Sequence, residues 1–250
     1  FLWSKGYAAF ANYGFNRWDS ITSSERFTRF SISRPKKQPL IIWIKSGSHA
    51  QRRQRDNLGA FIQKVLETIS VPFYLVTSDG DASVLALINH SGGERLLRHP
   101  LLVCWYAQNA QTHEFMNTYL SSDLTDLYQS KVRPIPIGLD LHSNRGFGVG
   151  NRLLSLFKRE VGNRKASDSR IPKILVDCCT RSASVERQNV GHRLRGLAHI
   201  DVLDVRVSQA ELWSLYGQYQ AVLSLPGYGL DCHRTWEALY LGARVIAPDV

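Results

Sequence analysis

The chain has 250 residues, of which 44% are hydrophobic and 10% aromatic, and its formal net charge is +10. These values are ordinary for a globular protein of one large or two small domains with a sizeable core. No run of about eighteen apolar residues occurs, so no segment predicts a membrane span. The sequence begins at Phe1 without a methionine and stops just after a predicted strand, and we expect both ends to be cut.

The surplus of positive charge is spread along the chain rather than confined to a tail. A basic surface attracts nucleic acid, anionic glycans, membrane headgroups and phosphorylated substrates alike. The densest cluster, Arg52-Arg53-Gln54-Arg55, is accompanied by no zinc-finger spacing and no RNP-type motif, and we interpret it as a solvated helix start. Nucleic-acid binding is therefore the poorer explanation of the charge.

The four cysteines, Cys104, Cys178, Cys179 and Cys232, include no Cys-x-x-Cys pair. We therefore predict buried thiols rather than a metal or redox site. Their even number neither requires nor excludes a disulfide. The compartment stays open: the Golgi or another endomembrane lumen in a eukaryote, the cytoplasm in a bacterium.

Strands alternate with helices through the first half of the chain, which predicts parallel βαβ packing. Residues 1–35 are aromatic and polar without periodicity, and we expect an irregular arm over the first domain. Apolar residues at helical spacing from Leu58 to Ile69 predict one amphipathic helix, and another helix follows the second strand. Pro134 and Pro136 favour an edge position for the fourth strand. The predicted strands are 40–44, 72–77, 101–106 and 132–137.

Residues 142–150 contain three glycines and predict a boundary between two domains, 1–145 and 146–250. Beyond this boundary the alternation of helices and strands restarts. Helices are predicted near 151–161, 185–197 and 209–217, and strands at 173–176, 200–205, 221–225 and 245–247.

The most informative stretch joins the strand that ends near Leu225 to the last helix. Pro226, Gly227 and Gly229 break the strand and let the backbone turn sharply. Asp231 is the predicted N-cap of the helix, and Gly242 ends it. Helical spacing assigns two faces: one of Cys232, Trp236, Leu239 and Ala243, predicted to pack on the sheet, and one of His233, Arg234 and Glu237.

The mouth of this helix suits an anion. Free backbone N–H groups and the positive end of the helix dipole both favour phosphate there. Arg234 can add a forked, charge-assisted contact, and Glu237, one turn deeper, can accept hydrogen bonds from the two hydroxyls of a ribose. The alternative is a structural helix cap with an internal Arg–Glu pair, which the same spacing allows.

This stretch closely resembles the nucleotide-sugar-binding segment of exostosin-like glycosyltransferases. In that family a Gly-rich turn precedes an Arg-x-Trp-Glu-Ala-Leu helix and a Gly-led strand. The strong match covers roughly a tenth of the chain, and a weaker one extends back through 105–109 and 134–140. The matching residues are Pro226-Gly227-Tyr228-Gly229, Arg234-Thr235-Trp236-Glu237-Ala238-Leu239, and Gly242 before Val245-Ile246.

The resemblance implies a GT-B fold, with two Rossmann-like domains whose parallel sheets face a cleft. It implies a nucleotide-diphosphate sugar as donor, held mainly by the second domain, a glycan or other hydroxyl acceptor on the first, and no cofactor or metal. Tyr228 could line the donor pocket, although an exposed turn aromatic would look identical in sequence. The donor-binding residues we select are Gly227, Tyr228, Gly229, Asp231, His233, Arg234, Glu237 and Arg181.

Polar residues that directly follow the strands are the other candidates, because ligands gather at the carboxyl ends of parallel strands. In the second half, Arg181 could meet a diphosphate from the side opposite Arg234, or it could be an exposed loop arginine. The others selected there are Asp177, Thr180 and Arg187. In the first half the rule selects His49, Asp79, Asp81, Gln108, Asn109, Asp140 and His142.

An inverting transferase needs a base that takes the proton of the acceptor hydroxyl. Asp81 and His49 are our candidates, with Asp140 and His142 as alternatives. Asp79-Gly80-Asp81 also has the Asp-x-Asp form by which a different transferase fold holds a divalent metal, but turns favour these residues anyway and the resemblance argues against a metal. We therefore expect a metal-independent glycosyltransferase. The alternative is a non-catalytic carbohydrate- or polyanion-binding module on the same fold.

Overall fold

The computed structural model describes residues 6–15, 39–46, 56–141, 150–177, 184–227 and 229–248. The chain forms two compact units. The first takes Leu2–Ile137 and Tyr228–Asp231, and the second takes Gly138–Gly227 and Cys232–Asp249. Residues 142–149 of the predicted boundary lie outside the described residues.

The first unit contains a parallel sheet whose described strands follow one another in the order β1-β2-β3-β4-β5. The predicted parallel packing is confirmed, and β5 lies at an edge, as its prolines favour. The elements are β1 (Tyr13–Phe15), β2 (Leu40–Lys45), α1 (Asn57–Lys64), β3 (Phe73–Ser78), α2 (Val84–Ser91), α3 (Gly93–Arg98), β4 (Leu102–Ala107), α4 (His113–Tyr119), α5 (Ser122–Lys131) and β5 (Val132–Pro134).

The helix predicted over 58–69 ends at Lys64, the strand predicted at 132–137 ends at Pro134, and two further features of the first unit were not predicted. Within the irregular arm that we expected at 1–35, Tyr13–Phe15 form β1, which pairs with Ile42–Ile44 of β2. A three-residue strand is too short to show a period of two, so only its pairing reveals it. Helices α4 and α5 have no counterpart among the predicted elements.

The core of the first unit lies between its sheet and its helices. Phe61 of α1 and Trp105 of β4 are fully buried, and each contributes about 1.5–3 kcal/mol by leaving water. The indole N–H of Trp105 donates to Thr77 Oγ1 at 2.9 Å, and that of Trp43 donates to Ser78 Oγ at 2.8 Å. Both buried indole N–H groups are therefore paired, and their acceptors are the last two side chains of β3, at the carboxyl end of the strand.

The second unit contains a parallel sheet with the strand order β7-β6-β8-β9. The prediction of an α/β fold with two Rossmann-like parallel sheets is therefore confirmed. Among the described residues, no helix is long and apolar enough to cross a bilayer. The elements are α6 (Gly150–Asn163), β6 (Ile171–Val176), α7 (Val185–Leu194), β7 (Ile200–Val202), α8 (Gln209–Tyr216), β8 (Tyr219–Leu223), α9 (His233–Tyr240) and β9 (Arg244–Ile246).

The strand order of the second sheet reverses at β6. The chain passes from β6 to β7 on one side and then returns to β8 on the other side of β6. Open α/β sheets bind ligands outside the carboxyl ends of the strands at such a switch point. The first sheet, whose described strands run in sequence order, has no reversal. The topology therefore selects the carboxyl ends of β6 and β8.

The buried face of α9 differs from the predicted one. Glu237 and Ala238 are 2% and 0% exposed, whereas Leu239, predicted to pack on the sheet, is 47% exposed. Neighbouring residues of a helix point about 100° apart. Relative to the prediction, α9 is therefore rotated about its axis, so that Glu237 and Ala238 are buried in place of Leu239. Trp236 is half-buried, and Ala243 is buried as predicted.

A buried arginine ties the start of β6 to the start of β8 and to the end of α9. Arg170 is 6% exposed and donates hydrogen bonds to three backbone carbonyls. Its partners are Lys165 O at 3.1 Å, Tyr219 O at 3.2 Å and Leu241 O at 2.8 Å. Burial lowers the pKa of Arg170 below its ordinary value. Arg170 therefore connects these segments at the amino ends of β6 and β8, opposite the carboxyl ends where the candidate site lies.

Candidate functional site

The turn between β8 and α9 lies at the carboxyl end of β8, as the sequence predicts. The helix starts one residue later than expected: Cys232 is the N-cap and makes no side-chain capping bond, so the prediction of Asp231 as N-cap is wrong. The carboxylate of Asp231 instead accepts the backbone N–H of Ile137 at 2.7 Å. Its own N–H donates to Asn109 Oδ1 at 2.9 Å. A long-range partner has replaced the local one.

Asn109 organises the carboxyl end of β4 in the first unit. Its backbone has φ 58°, and its side chain is buried at 3% exposure. Asn109 Nδ2 donates to Gly80 O at 3.2 Å, and Gln108 Nε2 donates to the same carbonyl at 2.8 Å. A Cβ at Gly229 would lie 2.8 Å from Asn109 Nδ2, so only glycine fits beside this amide. The strand-end rule selected Asn109, but nothing in the sequence indicates its contact with Gly229.

Arg187, on the first turn of α7, lies against the turn that follows β8. Its Nε donates to Pro226 O at 2.9 Å, and its Nη2 donates to Leu225 O at 3.0 Å. A Cβ at Gly227 would lie 3.2 Å from Arg187 Nη2, so the glycine leaves room for the guanidinium. The sequence selects Arg187 only as one of several charges near a strand end. The structure places it at the Gly-rich turn.

Arg234 is held by the residue that follows β6. Its Nε donates to Asp177 Oδ1 at 2.5 Å, and the hydroxyl of Tyr216 donates to Asp177 Oδ2 at 2.8 Å. The side chains of Arg234 and Asp177 are 15% and 7% exposed. Burial, and then the charge of Asp177, raise the pKa of Tyr216 well above 10.0, so the phenol remains a donor. β6 and β8 are neighbours in the sheet, and this pair therefore lies at the switch point.

His233 and Glu237, one helical turn apart, both contact the segment 138–140. His233 Nδ1 lies 2.8 Å from Gly138 O, so it carries the proton and donates. Glu237 Oε1 accepts the backbone N–H of Asp140 at 3.2 Å, and Glu237 Oε2 accepts from Gln209 Nε2 at 3.4 Å. Gln209 has no sequence signal that marks it as part of the site. The polar face of α9 thus anchors this segment of the second unit.

The candidate bases have different surroundings. Asp79, with φ 60° and a side chain 7% exposed, pairs with Lys45 at 3.2 Å. Asp81 is half-buried in the loop between β3 and α2. Asp140 is buried at 6% exposure. His49, His142, Arg181, Thr180 and Tyr228 lie outside the described residues.

Within the described residues, no three His, Cys, Asp or Glu side chains are placed to hold a metal ion. Cys104 and Cys232 are free thiols, and burial raises the pKa of Cys104 from 9.0. Cys104 is buried and Cys232 is half-buried, while Cys178 and Cys179 lie outside the part of the chain that the structure describes.

No protein-family model matches the chain, and no curated protein matches it in sequence. Among solved structures, the chain is similar to the α,α-trehalose-phosphate synthase (UDP-forming) from Burkholderia xenovorans in complex with glucose-6-phosphate, with 10% identity and a TM-score of 0.37. The similarity covers 93% of this chain and 64% of that structure, so the chain spans less than two thirds of its length. The two sheets themselves define the class: an α/β protein of two Rossmann-like units.

Proposed function

We propose that the protein is a glycosyltransferase that moves a sugar from a nucleotide-diphosphate donor to an acceptor hydroxyl. It would be exostosin-like, of GT-B type and independent of metal. The observation that carries the proposal is the position of the Gly-rich turn and of Arg234 at the switch point of the second sheet, where α/β folds bind nucleotides. The resemblance of the same residues to the nucleotide-sugar segment of that family supports it.

In this reaction the acceptor oxygen forms a bond to the anomeric carbon of the sugar as the bond from that carbon to the diphosphate oxygen breaks. The diphosphate leaves with the electron pair, and a base takes the proton of the acceptor. The amino end of α9, Arg234 and Arg181 would stabilise the leaving diphosphate. Asp81 or His49 would be the base.

The remaining selected residues would shape the donor pocket. Gly227 and Gly229 let the backbone approach the ligand, Tyr228 lines the sugar or base, and Asp231 and His233 hold the turn and the helix end in place. Glu237 would accept the ribose hydroxyls. Its carboxylate is 2% exposed and accepts hydrogen bonds from Gln209 and from the N–H of Asp140, so ribose hydroxyls would reach it only if surrounding residues moved.

Calorimetric titration with UDP, GDP and CMP, with and without EDTA, tests the donor site. We expect saturable binding of one nucleotide that EDTA does not weaken. Glu237→Gln keeps the shape of the side chain and removes its charge, and we expect it to weaken binding by at least about tenfold, or about 1.4 kcal/mol. The exposed Glu211 on α8 offers a matched control, Glu211→Gln, which should bind as the unchanged protein does.

A transfer assay with the preferred sugar nucleotide tests catalysis. Arg234→Ala should lose turnover; because it also leaves Asp177 without its cationic partner and should lower stability, turnover is measured at a temperature at which circular dichroism shows the variant folded. Asp81→Asn should lower kcat more than KM if Asp81 is the base. Unchanged turnover by Arg234→Ala would refute its role.

The second candidate function is the non-catalytic carbohydrate- or polyanion-binding module. The contacts of Glu237 with Asp140 and Gln209 are compatible with it, because a structural role for Glu237 explains both contacts without a bound ribose. Absence of nucleotide binding by the folded protein, together with saturable binding of an anionic glycan, would establish this function and overturn the transferase. Binding to nucleic acid is not expected; it would show a steep loss of affinity with salt.

A further inference from the structure

The two arginines at the switch point differ in how their charge is compensated. Arg234 donates to the carboxylate of Asp177, so the pair has no net charge. Among the described residues, the guanidinium of Arg187 donates only to backbone carbonyls and has no acidic partner within ion-pair distance. Of these two arginines, Arg187 is therefore the one whose charge no described carboxylate compensates.

The geometry also leaves donors of Arg187 available. A guanidinium has five N–H groups, and the two carbonyl bonds use two of them, one on Nε and one on Nη2. The three others have no partner among the described residues. The contacts with Pro226 O and Leu225 O fix the plane of the guanidinium, so little side-chain entropy remains to be lost when an anion binds.

Gly227 points to the same arrangement. A side chain at this position would meet Arg187 Nη2 at 3.2 Å, closer than most real contacts, and would displace the guanidinium by a few tenths of an ångström. Gly227 thus leaves room for the guanidinium of Arg187, in addition to allowing the backbone to turn. Arg187 and Arg234 lie on α7 and α9, which follow the neighbouring strands β6 and β8.

We propose that Arg187 is a binding residue for the phosphate groups of the ligand at this turn and supplies the net positive charge there, while Arg234 is oriented by Asp177. The identification of the anion as a nucleoside diphosphate rests on the proposed function. The contact itself requires only a phosphate ligand, for which a fixed fork of N–H donors is suited.

The test uses inorganic pyrophosphate and the nucleoside diphosphates as probes in calorimetric titrations at several salt concentrations. Arg187→Gln retains a donor for the strand-end carbonyls and removes the charge. We expect its affinity for pyrophosphate to fall by at least about tenfold. The slope of log K against log salt should become shallower, because the site has lost one charge that salt screens. Arg193, exposed on the same helix, provides the control: Arg193→Gln should retain the affinity and the slope.

Two further variants keep the test decisive if Arg187→Gln is too unstable. Arg187→Lys retains the charge without the fork and should lose less affinity than Arg187→Gln. Gly227→Ala retains Arg187 and displaces its guanidinium, so it should weaken pyrophosphate binding without changing the salt slope. Thermal unfolding of each variant measures the structural contribution separately.

The outcomes separate this inference from the proposed function. Unchanged affinity of Arg187→Gln for pyrophosphate and for nucleoside diphosphates would overturn the inference, even if the protein transfers sugar. Pyrophosphate binding that depends on Arg187, in a protein that binds no nucleoside diphosphate, would sustain the inference and overturn the transferase. A folded protein that binds neither probe would overturn both.

Discussion

At the scale of single residues, Asp177 determines the geometry of the candidate site. It accepts hydrogen bonds from Arg234 and from Tyr216, and all three side chains are largely removed from water. A buried ion pair adds little net stability by itself, but loss of one partner leaves the other charge uncompensated. The site and the stability of the second unit therefore both depend on Asp177.

Asp177→Ala should lower the free energy of unfolding by about 3–5 kcal/mol, because Arg234 and the Tyr216 hydroxyl would both lose their partner. Asp177→Asn should cost less, since the amide oxygen still accepts one hydrogen bond. Urea unfolding measures the difference. Glu67→Ala breaks the exposed pair with Arg95 and serves as a control in which stability should change little. Equal losses in Asp177→Ala and the control would refute the role of Asp177.

The sequence explains Gly229 by the backbone freedom of a turn, but the structure shows that a glycine is also required there because the Asn109 side chain lies close to it. Gly229→Ala would bring a Cβ to 2.8 Å from Asn109 Nδ2 and should cost about 1–3 kcal/mol by overpacking. Asn109→Gly retains a residue suited to positive φ and removes the obstructing amide, so Gly229→Ala should cost less in that background. A double-mutant cycle by urea unfolding measures this coupling.

Gly162 provides the control for this cycle. A Cβ there would meet nothing within 4 Å, and Gly162→Ala should stabilise α6 by about 0.5–1 kcal/mol in either background. Additive effects of Gly229→Ala and Asn109→Gly would contradict the contact.

At the scale of elements, the link from α9 to β9 depends on Gly242 and Arg170. Gly242 has φ 82°, and a Cβ there would lie 2.6 Å from Arg170 Nη2. Gly196, after α7, has φ 79° and open space around it. Alanine substitution at Gly196 therefore measures the loss of stability from the left-handed backbone alone, and at Gly242 it measures that loss together with the steric contact with Arg170.

Gly196→Ala should destabilise the protein by about 1 kcal/mol for its backbone conformation alone. Gly242→Ala should cost about 1–3 kcal/mol more, because it also displaces a guanidinium that holds three carbonyls. Thermal and urea unfolding compare the variants. Equal costs for the two substitutions would show that the contact with Arg170 is unimportant. Hydrogen exchange of the N–H groups of β8 and β9 should rise only in Gly242→Ala.

At the scale of the whole molecule, stability should depend on pH through His99 of the first unit. Its Nδ1 accepts the N–H of Leu101 at 3.2 Å, and its ring packs edge-on to Phe73 at 5.5 Å. Burial lowers the pKa of His99 below its ordinary value of 6.5. The folded state thus favours the neutral ring, and protonation removes the acceptor.

The lowered pKa of His99 should make the folded protein less stable at acidic pH. The stability contributed by His99 is fully present above the unfolded pKa of 6.5 and is lost as the pH falls through the lower folded pKa. The midpoint of urea unfolding should therefore decrease from pH 7 to pH 5, and His99→Gln should reduce this decrease. The exposed His90 gives the control, since His90→Gln should retain the full pH dependence. The same pH dependence in His99→Gln would contradict the assignment.

Much of the fold could be predicted from local patterns. The buried strands at 40–44 and 101–106 and the turn at Pro226–Gly229 are visible because apolar runs, periodicity and glycine are properties of neighbouring residues. The buried face of α9 could not be predicted, because helical spacing allows either Leu239 or Ala238 to be buried and only tertiary packing decides between them. The partner of Asp231 was missed for a similar reason, since Ile137 is 94 residues away.

By itself the sequence determined an α/β protein with parallel strands and a Gly-rich turn before the last helix, whose start suits an anion. Only the tertiary structure decided the strand order β7-β6-β8-β9. That order brings Asp177 to Arg234 and Arg187 to Gly227, and so decides which of the two arginines is paired with a carboxylate. The physical reason is that strand pairing depends on the packing of distant segments, whereas periodicity records only which face of each segment is apolar.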